Sequence, residues 1–496
     1  MGYTLGIDIG TFESKGVLVD AEGTVVGSAA RGHKMLVPRP GWAEHRAEED
    51  WWGDFVHIAR AILEATEIAE GDIEAIGCSA IGPCMLPLDA AGSPLMNAVL
   101  YGVDGRAGKE VDELTERIGD EKLLDRCGNA LTSQSVGPKI LCLRRKRPEV
   151  FAKTAKIVSS TPYLVHQLTG EYVIDHYTAA NFTPLYDVQK LDWSEEFAGD
   201  IVDLGMMPQL AWSTEIAGAV TKRAAAETGL AEGTPVTVGT VDASAEAVSV
   251  GVSDVGDMMM MYGSTIFIIT LITERVRDGR LWYSPWLFEG QHASMAGLTT
   301  SGTLTHWFRD QIARDLDPAE AFPILAGDAA SSPPGANGLL VLPYFSGERT
   351  PIHDPLAKGC FFGFNLTHTR SDMYRALLEG IAYGTNHVLE TYRELGQAPK
   401  RLLAVGGGTK NRMWLQATSD ISGLDQILCD KTVGASYGDA FLAAVAIGRA
   451  DPGDIARWNP VASTVRAEPS AVYAKQYQLF RRLYEQTKDI AAQIGP

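Results

Sequence analysis

The stretch Tyr3–Asp20 constrains this chain more than any other. An apolar run, Tyr3-Thr4-Leu5-Gly6-Ile7-Asp8-Ile9, breaks at Gly10-Thr11 and resumes from Val17. Glycine permits a tight reversal and lets backbone N–H groups approach an anion. Thr11 and Ser14 add hydroxyls, and Lys15 adds a point charge. Asp8 is a carboxylate at the end of a strand expected to be buried, so it needs a partner; hydrated Mg²⁺ beside phosphates is a suitable one. Taken alone, the pattern fits an ordinary hairpin equally well. It gains weight because Thr234–Asp242 again delivers an aspartate from an apolar strand. Asp257–Tyr262 then ends in another small-residue turn, Gly263-Ser264-Thr265. Two such turns facing each other can hold a polyphosphate between two domains.

At 496 residues the chain exceeds one hydrophobic core, so two domains are expected, residues 1–245 and 246–496. A formal net charge of −19 argues against nucleic acid or an anionic membrane as partner, while local cations still allow an anionic substrate. The six cysteines form no CxxC pair, which fits reduced, structural thiols. The N-terminus runs directly into a strand, and no signal-like segment or bilayer-length apolar run is read, so a cytoplasmic location is the expectation.

Residues 1–35 are predicted as two or three strands, 51–62 as an amphipathic helix and 73–81 as a buried strand. Met85–Asp89 is predicted to turn back at Ala90–Ser93. Residues 107–230 are mostly helical in pattern. Beyond 235 strands resume, with Gly338–Tyr344 and Arg401–Val405 the strongest and helices near 371–395, 411–423 and 435–449. This alternation predicts mixed sheets flanked by helices, an α/β fold.

Several stretches, in order and over nearly the whole chain, resemble the FGGY family of carbohydrate kinases, in its xylulose kinase-like branch. They are Asp8-Ile9-Gly10-Thr11, Gly41-Trp42-Ala43-Glu44-His45, Asp104-Gly105-Arg106, Leu168–Tyr172, Leu191–Ser194, Asp242 with its small neighbours, Gly406-Gly407-Gly408 and Gly434–Ala440. The resemblance implies two actin-like (ribonuclease H-like) ATPase domains around a central cleft. It also implies ATP and Mg²⁺ as cofactors, a small sugar as substrate and a homodimer as the assembly. The implied reaction is transfer of the γ-phosphate to a ketose hydroxyl, with a pentulose as acceptor. Glycerol or another polyol, an actin-like ATPase and an inactive metabolite sensor are the alternatives.

On this reading Asp242 is the general base; its plainer role is to cap the following helix. Asp8 organises Mg²⁺ through water. Gly10, Thr11, Ser14 and Lys15 meet the phosphates from one side, and Gly263, Ser264 and Thr265 from the other. Phe12 and Glu13 replace small hydroxyl residues common in the family, which leaves more of the cradling to backbone N–H groups. Gly302, His306, Gly407, Gly408, Asn411 and Arg412 approach the nucleotide; His306 equally suits a local hydrogen bond in a helix. Where xylulose kinases would carry Gln-Met-His-Gly, this chain has Ile81, Gly82, Pro83 and Cys84, and the Arg-Glu pair of glycerol kinases is missing too. The sugar hydroxyls are therefore assigned to Asp104, Arg106, His176, Tyr177, Asn181 and Asp242. A site with fewer polar groups suits a less hydroxylated acceptor such as a deoxy-ketose. Trp42, Trp51, Trp52, Trp286 and Trp307 are expected in cores or interfaces, Glu44 in a structural tie, and Gly347–Pro351 in a salt-bridged turn.

Overall fold

The computed structural model describes residues 2–494. Tyr3–Ile9, Glu13–Asp20 and Val25–Gly32 form an antiparallel meander. Ile73–Ala80 adds in parallel to the other side of Tyr3–Ile9, followed by Pro235–Thr237 and Thr240–Val241. The second half repeats this plan. Asp257–Tyr262, Ile266–Ile272 and His292–Leu298 are antiparallel neighbours, and Arg401–Val405 and Gln426–Cys429 add in parallel. Three antiparallel strands extended by parallel ones, once in each lobe, is the ribonuclease H-like, actin-like plan. Tyr3–Ile9 is buried along most of its length because helices cover both faces, which explains its unbroken apolar character.

Register places the chemistry. Asp8 lies opposite Ser79, and Ser79 lies opposite Thr240. Three adjacent parallel strands thus end level with one another, and Asp242 follows at the start of the helix Asp242–Ser249. Open α/β sheets bind ligands beyond the carboxyl ends of their strands. The expected boundary at 245/246 falls inside this helix.

The helix Ala435–Ala446, although late in the chain, lies on the first sheet. A Cβ on Gly6 would stand 1.9 Å from the Ser436 carbonyl oxygen, and one on Gly77 2.2 Å from that of Asp439. Gly438 approaches the Ala245 carbonyl as closely, at 2.0 Å for its notional Cβ. These glycines let a helix from the second half seat against the first and carry Asp439 beneath Asp8.

The turn expected at Ala90–Ser93 is present: the Asp89 N–H donates to the Ser93 carbonyl and the Leu95 N–H to the Pro87 carbonyl, both at 3.0 Å, while the short strand Leu86–Leu88 pairs along its length with the distant Lys156–Val158. One expectation needs correction. The Gly338–Tyr344 strand shrinks to Leu340–Leu342, because Asn337 and Gly338 have positive φ and Pro343 offers no N–H. Among the described residues, no helix is long and apolar enough to cross a membrane.

Candidate active site

Four carboxyl groups converge at the strand ends of the first lobe: Asp8, Asp242, Glu246 and Asp439. Ser79 Oγ lies 3.1 Å from Asp8 Oδ1 and 2.7 Å from Asp439 Oδ2. A hydroxyl owns one proton, so both contacts are hydrogen bonds only when one carboxyl is protonated and donates back. Burial, and then neighbouring carboxylate charge, pushes Asp8 and Asp439 well above the usual carboxylate range. Burial also raises Asp242, to about 6, although the Ala243 N–H on Oδ1 at 2.7 Å works against it. Glu246 rises to about 7 through burial and the nearby Asp242. The adjacent cation, Lys15, is half exposed and paired with Glu13 at 3.0 Å.

Asp242 also lines a cavity of about 90 Å³ between the lobes. Gly82 and Pro83 form one rim and Tyr177, Asn181 and Thr183 another, while Phe267, Trp282 and Met295 close it from the second lobe. Most polar lining groups are already engaged. The Asn129 amide bonds both backbone groups of Tyr283, Tyr177 donates to Met295 Sδ, and Thr183 donates to the Ala180 carbonyl. Among the described residues, Asp242 Oδ2, Asn181 Oδ1 and Gln134 Nε2 have no protein partner, and the Thr132 and Ser135 hydroxyls accept N–H groups but donate to nothing. A handful of free polar groups against an aromatic and thioether wall makes a site with few hydroxyl contacts.

A second cavity, of about 470 Å³, lies at the equivalent edge of the other sheet. Asp257–Tyr262 and Arg401–Val405 run parallel and end level, Met261 opposite Val405. Gly263 and Ser264 follow the first strand, Gly407 and Gly408 the second, and all four line the cavity with Gly302, His306 and Asn411. A Cβ on Gly407 would meet nothing, whereas one on Gly408 would strike Trp414 and Tyr262. Asn411 caps the helix Arg412–Ser422, accepting the Trp414 N–H at 3.1 Å. His306 meets Phe322 edge-on at 4.9 Å.

Several predicted site residues are elsewhere. Asp104 is fully buried and spent on the Ala43 N–H and on Arg106, whose guanidinium also pairs with Glu44 at 2.8 Å and covers Trp42. This cluster ties down the Gly41–His45 loop, so neither Asp104 nor Arg106 faces a sugar. His176 is turned to the Tyr186 hydroxyl at 2.7 Å and against Trp212. Ile81 and Cys84 are the buried anchors of the turn that presents Gly82 and Pro83. The Ser14 hydroxyl points inward to Asp54 at 2.7 Å, because alternate residues of a strand face opposite ways. Arg412 is exposed, Thr265 lies outside the cavity lining, and Gly10 donates its N–H to the Glu13 carbonyl within the turn. Thr11 bonds the Tyr101 hydroxyl at 3.1 Å.

Among the described residues, no three His, Cys, Asp or Glu side chains sit close enough to chelate a bare metal ion. Oxygen donors whose burial demands a cation, yet which cannot enclose one, fit Mg²⁺ that keeps most of its water. Asp8 and Asp242 are the residues that would face it. The glycine-lined cavity beside an aromatic floor likewise fits a nucleotide.

The sequence matches the N-terminal domain of the FGGY family of carbohydrate kinases over residues 3–249 and its C-terminal domain over residues 258–447. A xylulose kinase of Bacillus subtilis is 29% identical over 99% of this chain and 98% of its own, and a gluconokinase of the same organism is 27% identical over 97% and 94%. The crystal structure of xylulose kinase from Rhodospirillum rubrum superposes with a TM-score of 0.93 at 30% identity, over 99% of both chains. With two repeated lobes, a strand-end carboxylate cluster between them and full-length agreement, the chain belongs to the FGGY family of carbohydrate kinases and is a sugar-phosphorylating phosphotransferase.

Proposed function

We propose that this kinase transfers the γ-phosphoryl of ATP to a terminal primary hydroxyl of a pentulose, and that it favours a deoxy-ketose over a fully hydroxylated one. The observation that carries the reading is Asp242. It belongs at once to the acceptor cavity and to the carboxylate cluster at the strand ends.

The chain's own groups divide the work as follows. Asp242 Oδ1 is fixed by the Ala243 N–H, which leaves Oδ2 to accept the proton of the attacking hydroxyl. Asn181 and Gln134 orient the acceptor; Trp282, Phe267 and Met295 exclude water from behind it. Gly263, Ser264 and Thr11 border the phosphates, and Gly407, Gly408 and Asn411 border the nucleoside. Magnesium, when bound, neutralises phosphate charge beside Asp8. A positioned γ-phosphate is open to water, so closing the lobes protects it from hydrolysis.

The similarity to xylulose kinases supports a ketose, and the scarcity of free polar atoms supports the deoxy form. Competing kcat/KM values for xylulose, ribulose and their 1-deoxy forms test this. The deoxy sugars are expected to lead; a clear preference for xylulose would refute the deoxy assignment.

A further inference from the structure

The loop Gly347–Pro351 is not the salt-bridged turn expected of it. The buried Glu348 carboxylate accepts the backbone N–H groups of Thr299 at 2.6 Å and Arg349 at 2.8 Å, and makes no ion pair with the Arg349 side chain. Arg349 instead turns away and donates from Nη2 to the Leu298 carbonyl at 3.1 Å. Its guanidinium carbon lies 5.6 Å from the centre of the Trp282 ring. Its Nε–H is enclosed without a partner, and no carboxylate of the described residues comes within ion-pair distance. Glu348 attracts the guanidinium from beyond ion-pair distance, which leaves a half-buried guanidinium with an unfilled enclosed donor, and that is costly to maintain. Burial lowers its pKa, although a guanidinium stays protonated at any working pH.

Its surroundings say what the missing partner is. Leu298 pairs with Ile266, the residue that follows the Gly263-Ser264-Thr265 turn. Trp282, under the guanidinium, pairs with Met295, and both line the acceptor cavity. The lack of a side chain at Gly297 makes room, since a Cβ there would stand 3.2 Å from Arg349 Nη2. Across the cleft, the charge of Arg349 reaches Tyr101, whose hydroxyl holds Thr11 of the first turn. The guanidinium therefore stands beside the Trp282 wall of the acceptor cavity, bonded to the strand that neighbours the second phosphate turn. Lys15, on the opposite lobe, is partly neutralised by Glu13.

We propose that Arg349 is a catalytic residue that binds the phosphoryl group in transit, using donors that no protein group fills. The proposal rests on the kinase reading above. In the step, the acceptor oxygen–phosphorus bond forms as the bond from phosphorus to the β–γ bridging oxygen breaks. The hydroxyl proton passes to Asp242, and ADP leaves with the bond electrons. The non-bridging oxygens carry negative charge throughout, and a planar guanidinium meets two of them at once.

The test uses the full chain and Arg349→Gln. Calorimetric titration of inorganic phosphate in the presence of ADP is expected to show binding at least about tenfold weaker in R349Q, with ADP affinity within about twofold of wild type. With the best acceptor from a sugar screen, kcat is expected to fall about 10²- to 10³-fold while the acceptor KM stays within about threefold. In Arg349→Ala, millimolar guanidinium ion should restore part of kcat, which a merely structural arginine would not allow. Unchanged phosphate affinity in a folded R349Q overturns the proposal, as does a raised acceptor KM with intact kcat. Should R349Q not fold, Arg349→Lys keeps the charge, and it must bind phosphate more weakly than wild type for the proposal to hold. If no sugar triggers ADP release in wild type but phosphate affinity still depends on Arg349, the kinase reading fails and the anion site stands.

Discussion

Asp242 answers two opposing demands. A base must be ionised at working pH, yet the site that protects the reaction from water penalises the ionised form. Burial raises its pKa to about 6, which leaves it ionised at neutral pH but close to the proton it must accept. In the free enzyme, kcat/KM should therefore fall on the acid side with an apparent pKa near 6; a flat profile down to pH 5 would contradict this. The same shift acts on stability. A carboxyl whose folded pKa exceeds its unfolded value binds protons more tightly when folded, so it costs stability above about pH 6 and regains it as pH falls toward about 4. Buried histidines such as His45, lowered to about 4, pull the other way below about pH 6.5, so the informative quantity is a difference. The nucleotide-free Asp242→Asn enzyme should melt a few degrees above wild type at pH 8, with the gap falling to about half at pH 5. Equal gaps at both pH values would argue against the shift. Asp8 and Asp242 are legible in the sequence because each ends an apolar strand in a small-residue turn. Glu246 and Asp439 are not, since they join the cluster only through how two helices pack. Ser14 is misread because a turn residue and the first inward residue of a strand look alike on paper.

At the level of elements, the repeated strand–turn pairs are the readable part. Arg401–Val405 and its glycine turn follow from an apolar run broken by Gly406. The acceptor wall is hidden: Phe267, Trp282 and Met295 lie on three strands that are neighbours only after the second sheet forms. Their period-two patterns say that they are strands, not which face meets the other lobe. Trp282→Ala should raise the acceptor KM about tenfold or more and leave the ATP KM within about twofold, measured by initial rates; an equal rise in both would place Trp282 outside the acceptor wall. The seat of the helix Ala435–Ala446 depends on glycine in a way that sequence alone does not reveal. Gly6→Ala puts a methyl group against the Ser436 carbonyl and should cost about 3 kcal/mol or more, read as a lower urea midpoint at unchanged slope. A midpoint within error of wild type would mean that the helix is not so closely seated.

For the whole molecule, the two-lobe plan was the most legible feature, because length forces two cores and the motifs recur in order. The acceptor was the least legible. It depends on which polar atoms are left over once the protein has satisfied itself, and the sequence does not show that. Asp104 and Arg106 illustrate the difficulty, since both are chemically suited to a sugar and both are consumed in holding a loop. The central claim is that Asp242 removes the acceptor proton at the junction of two cavities, and one paired measurement tests it most directly. ADP release is followed in wild type and Asp242→Asn across a panel of ketoses, deoxy-ketoses, polyols and aldoses, with binding of the best sugar measured by calorimetry in both. The account predicts sugar-dependent ADP release in wild type and a loss of about 10³-fold or more in kcat for Asp242→Asn, with sugar affinity nearly unchanged. Turnover by Asp242→Asn near the wild-type rate would contradict it.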